Sequence, residues 1–82
     1  MDIEKLVRMA NQIGTFFQAM PDHAEAVDGI ATHIKKFWDP RMRRELLGAI
    51  DGGDAAAAGL LPLVREALQS MSNDQAQQTR SV

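Results

Sequence analysis

The sequence predicts an all-α fold: a compact bundle of three to four short helices with a disordered C-terminal tail. Three observations predict it. Apolar residues recur at steps of three and four, Asp and Pro mark helix starts, and no stretch alternates apolar with polar as a half-buried strand does. With 82 residues, the chain has room for one small domain with a thin core. We place that domain over residues 1–71 and the polar tail over residues 72–82.

The first helix is expected from Asp2 to Met20, where Ile3, Leu6, Val7, Ala10, Ile13, Phe17 and Met20 trace one stripe. Asp2 can cap its start, and Asn11, Gln12 and Gln18 lie off the stripe, toward water or a partner. Pro21 breaks the pattern. Asp22 followed by Glu25 then resembles a capping box and opens a second helix. Its stripe is Val27, Ile30, Ala31, Ile34, Phe37 and Trp38, and it ends at or before Asp39, because the residue preceding a proline is pushed away from helical dihedrals.

Asp39-Pro40 starts a third helix, with Asp as cap and Pro at the first helical position, where its missing N–H is not needed. Met42, Leu46, Leu47 and Ile50 form its stripe, and Gly52-Gly53 ends it. Arg41, Arg43 and Arg44 crowd its first turns, against the helix dipole, at a cost of order 0.3–1 kcal/mol for an exposed charge. Asp54 to Gly59, with four consecutive alanines between glycines, reads as a linker. The last helix enters through Leu60-Leu61-Pro62 and buries Leu60, Leu63, Val64, Ala67, Leu68 and Met71.

Composition excludes several function classes. There is no cysteine, so disulfides, thiolate metal ligands and Cys nucleophiles are absent. The net charge of -2 gives no general attraction to nucleic acid or an anionic membrane, and no apolar run reaches the roughly 18–20 residues that span a bilayer. The charged N-terminus, running straight into an amphipathic pattern, is unlike a signal peptide and points to a cytoplasmic protein.

His23 and His33 do not form a metal site by themselves, since zinc takes three or four ligands; both read as structural or solvent-facing. The few hydroxyl residues and the thin bundle argue against a catalytic triad in a cleft. Gly52, Gly53 and Gly59 do not fit a phosphate-binding pattern.

The segment Lys35 to Arg44 is the most unusual. It holds five of the nine Lys and Arg residues, the only Trp and a Phe. Phe37 and Trp38 could complete the core under solvated cations. Alternatively, Trp38 anchors a partner while the arginines pair with carboxylates, since Trp and Arg are enriched among interface hot spots. A basic and aromatic nucleic-acid patch is a third reading, disfavoured by the overall acidity.

Two strings carry a resemblance: Lys5-Leu6-Val7-Arg8-Met9-Ala10-Asn11-Gln12-Ile13, followed by Phe16-Phe17, and His33-Ile34-Lys35-Lys36-Phe37-Trp38-Asp39-Pro40-Arg41-Met42-Arg43. With Gly59-Leu60-Leu61-Pro62-Leu63-Val64-Arg65-Glu66-Ala67-Leu68, they resemble the delta subunit family of soluble, molybdenum-containing, NAD-dependent formate dehydrogenases, over about residues 4–69.

The resemblance implies a bacterial complex that oxidises formate to carbon dioxide and reduces NAD. Its alpha subunit would hold a bis-molybdopterin guanine dinucleotide molybdenum centre and iron–sulfur clusters, and its other subunits FMN, further clusters and the NAD site. The delta chain would hold no cofactor. It is expected to be a non-catalytic accessory subunit that docks on the alpha subunit through the faces bearing Asn11, Gln12, Trp38, Arg41, Arg43 and Arg44. Two alternatives stand beside this: a transient maturation factor for molybdenum cofactor insertion, and a small nucleic-acid-binding regulator. An exposed apolar face would also favour self-association of the isolated chain.

Overall fold

The computed structural model describes the backbone of residues 2–80 and the side chains of residues 2–72. Four α-helices and one 3-10 turn make up the described chain: α1 (Ile3–Phe17), α2 (His23–Phe37), α3 (Pro40–Asp51), the 3-10 turn (Ala55–Gly59) and α4 (Pro62–Arg80). The expected bundle is therefore present. The disordered tail expected over residues 72–82 lies, apart from Ser72, outside the residues described with side chains.

The starts of α1, α2 and α3 are each fixed by an aspartate that accepts a hydrogen bond from a backbone N–H left unpaired in the first turn. Asp2 accepts from Glu4 N at 3.0 Å, Asp22 from Glu25 N at 3.2 Å and Asp39 from Arg41 N at 2.8 Å. α1 stops at Phe17, one turn short of the expected Met20, as the chain prepares for Pro21. α3 ends in Gly52 and Gly53, and Gly53 has φ +70, a left-handed conformation that an L side chain rarely adopts.

The 54–59 segment differs from the expected linker. Asp54 caps it by accepting from Ala56 N at 2.9 Å, and Ala57 is buried at 2% exposure against α1 and α3. The alanine run has no amphipathic period to read because its side chains are too small to form a stripe; that same smallness lets the turn sit close under the helices.

The core gathers Leu6, Ile30, Ile34, Leu46, Val64, Leu68 and Met71, all essentially without exposure. α2 lies along α4, and α1 packs on both. Two glycines permit the closest approaches: a Cβ on Gly14 would lie 2.3 Å from Val64 Cγ2, and one on Gly29 would lie 2.5 Å from the Phe17 ring. The one clear departure of a large residue from its expected stripe is Phe37, which is 72% exposed. It lines a depression with Met9, Gln12 and Ile13 of α1, and among the described residues nothing covers it.

Candidate functional site

Asn11, expected to meet water or a partner, is an internal latch. Its Nδ2 donates to Gly59 O at 3.0 Å and its Oδ1 accepts from Leu61 N at 2.9 Å, tying α1 to the junction between the 3-10 turn and α4. Arg65 closes the same junction by donating from Nη2 to Ala57 O at 2.6 Å. Trp38, expected as an interface anchor, is 7% exposed and belongs to the core cluster. It caps α2 with extended dihedrals, which turn the indole inward as the chain leaves the helix.

The remaining four expected site residues stay at the surface. Gln12, Arg41 and Arg44 are exposed, and Arg43 is half-buried. The Nε of Arg43 is buried with no hydrogen-bond partner. A buried donor of this kind costs about 1–3 kcal/mol, or more for a charged group, so the first turns of α3 hold a cation whose hydrogen-bonding capacity is incompletely used within the chain. The first turn of α3 contains no acidic residue to favour the dipole.

A second feature lies between α1 and α2. Phe16 is 75% exposed and meets Phe17 edge-on, with ring centroids 5.1 Å apart. His33 and Phe37 form a matching pair on α2, with centroids 4.8 Å apart. Around Ile13 these rings leave a notch of about 220 Å³ lined by Ile13, Phe16, Phe17 and His33, with apolar surface alone. It continues into a shallower depression of about 430 Å³, where Met9, Gln12, Phe37 and the edge of Trp38 take over the lining. Sequence periodicity missed this groove because it assigned Phe17 and Phe37 to the core stripe and gave Phe16 no place on it. A pair of adjacent phenylalanines was the available signal, since one helix face cannot bury both.

A third, more polar depression of about 310 Å³ lies between α2 and α4, beside the surface pair of His23 Nε2 and Glu66 Oε2 at 2.5 Å. Among the described residues, no group of three or more His, Asp or Glu residues is arranged to hold a metal ion. Nor, among them, is any helix long and apolar enough to cross a membrane.

The sequence matches a family model, that of the NADH-dependent formate dehydrogenase delta subunit, FdsD, over residues 5–68. Comparison with curated proteins and with solved structures gives no match. The matched span runs from the first turn of α1 through the groove, the arginine corner and the Asn11 latch to Leu68 in the core, so most of the chain is covered. This chain belongs to the family of NADH-dependent formate dehydrogenase delta subunits.

Proposed function

We propose that this delta subunit is a non-catalytic accessory component that docks on the catalytic alpha subunit and stabilises the assembled enzyme. The observation that carries the reading is the arginine corner at the start of α3. Arg41 and Arg44 are exposed and Arg43 keeps a buried Nε without a partner, at a helix end where cations are locally unfavourable. Carboxylates on a second chain would pair with the exposed guanidinium groups of Arg41 and Arg44 and with the outer nitrogens of Arg43, since Arg binds carboxylates through paired hydrogen bonds. Gln12 offers a neutral donor and acceptor on α1, near the buried Trp38 that precedes α3, and Asn11 fixes α1 to the 3-10 turn.

Formate oxidation and NAD reduction belong, in this reading, to the other subunits. The residues of this chain do not fit the redox groups of the complex: without cysteine it offers no thiolate to an iron–sulfur cluster. The depression that does gather acid–base groups, His23, Asp28, Lys35 and Glu66 between α2 and α4, lies open at the surface, with the His23 and Glu66 side chains more than half exposed, rather than in a cleft that excludes water.

Replacing Arg41 and Arg43 with Ala tests the reading. The doubly substituted chain should keep its helical content yet co-purify with the alpha subunit at least several-fold less well, with a matching fall in the yield of assembled, formate-oxidising enzyme. Unchanged recovery and activity would contradict docking through this corner. Recovery of only molybdenum-free alpha subunit by the unsubstituted chain would instead identify a maturation factor.

A further inference from the structure

The groove between α1 and α2 is not explained by folding. Two of the chain's three phenylalanines stand at its edges, Phe16 at 75% and Phe37 at 72% exposure, although the fold has a core able to take large side chains. Each ring has an aromatic neighbour on its own helix. Phe16 is propped against Phe17, which lies over Gly29 so closely that a Cβ there would meet it at 2.5 Å, and Phe37 leans on His33. Between these ring pairs the apolar notch at Ile13, about 220 Å³, has space for one or two aliphatic side chains. Pre-positioned rings around a small apolar recess are the arrangement in which interface hot spots concentrate, because little side-chain freedom remains to be lost on binding.

The rim is charged on one end only. Lys5 precedes Met9 by four residues and Arg8 precedes Gln12 by four, so both stand beside the α1 lining of the wider depression; Lys36, three residues after His33, flanks it from α2. Lys5, Arg8 and Lys36 are exposed, and none has a carboxylate partner among the described residues. The chain as a whole carries a charge of -2, so this cationic rim is local.

We propose that this groove receives an amphipathic helix of another subunit of the formate dehydrogenase complex. That helix places an apolar side chain in the notch at Ile13, lays an apolar ridge across Phe16 and Phe37, and carries carboxylates facing Lys5, Arg8 and Lys36. The inference rests on the reading of the chain as a docked subunit and adds a second contact, separate from the arginine corner. Apolar burial supplies the holding energy there, while the lysines and Arg8 orient the partner and speed its encounter.

The test uses the complex assembled with a tagged chain in cells lacking the untagged one. Phe16→Ser with Phe37→Ser removes both ring edges; because the rings are exposed, circular dichroism and thermal unfolding of the free variant should match the parent. Recovery of the other subunits should fall by roughly tenfold or more. Lys5→Glu with Lys36→Glu should slow association several-fold and reduce its salt dependence. Photo-crosslinking from position 37 should capture an apolar, acid-flanked segment of another subunit. Parent-like recovery of the complex by the Phe16→Ser, Phe37→Ser variant, with the parent chain itself recovering the complex, overturns the groove proposal alone. Crosslinking of position 37 only to a second copy of this chain does the same. Failure of the parent chain to recover any formate dehydrogenase subunit overturns the docked-subunit reading, and the groove proposal with it.

Discussion

Asn11 shows what a single side chain contributes here. Off the apolar stripe, it nevertheless joins residues 48 and 50 positions away through both ends of its amide. Asn11→Ala removes both bonds and leaves the half-buried Leu61 N–H without its partner, so we predict a loss of about 1–3 kcal/mol in urea unfolding. Periodicity identifies which way a residue points, not the partner it finds after the chain folds, which is why this role was not legible in the sequence. The glycines make a paired prediction. Gly14→Ala drives a Cβ to 2.3 Å from Val64 and should destabilise by about 1–3 kcal/mol, whereas Gly48→Ala meets nothing within 4 Å inside α3 and should stabilise by roughly 0.5–1 kcal/mol. Equal effects in thermal unfolding would contradict the close α1–α4 packing.

At the scale of elements, the helices were legible because each has its own start and stop chemistry. Asp2, Asp22 and Asp39 cap as their positions suggest, Pro40 and Pro62 open α3 and α4, and Gly52-Gly53 closes α3. The 3-10 turn was not legible, since four alanines carry no directional pattern and their burial depends on α1 and α3 arriving from elsewhere in the chain. Of the residues expected to face a partner, Gln12, Arg41 and Arg44 lie at the surface, as their places off the stripe suggest, while Phe37 was misplaced because the pattern cannot tell whether another element covers a stripe residue. α3 also offers a test that would separate stability from partner binding. Arg41→Glu places an acid in its first turn and should raise the stability of the free chain by about 0.3–1 kcal/mol, while weakening recovery of the complex. A parallel loss of both would mean that Arg41 serves the fold rather than a partner.

For the molecule as a whole, the limiting fact is size. A chain of 82 residues with a core built largely from seven deeply buried side chains has little stability to spare, and no disulfide supplements it. An apolar groove and an arginine corner on so small a body are costs to the free chain that binding would offset, because a partner that selects the folded form stabilises it by mass action. The family match and the surface thus lead to the same expectation, a chain completed by its neighbours. The most direct test is the stoichiometry of this chain in active enzyme purified from native extract through a tag on the alpha subunit, with molybdenum measured in the same sample. A resident accessory subunit predicts one delta chain for each molybdenum-loaded alpha chain; delta chain found only with molybdenum-free alpha subunit, or absent from active enzyme, would contradict the account.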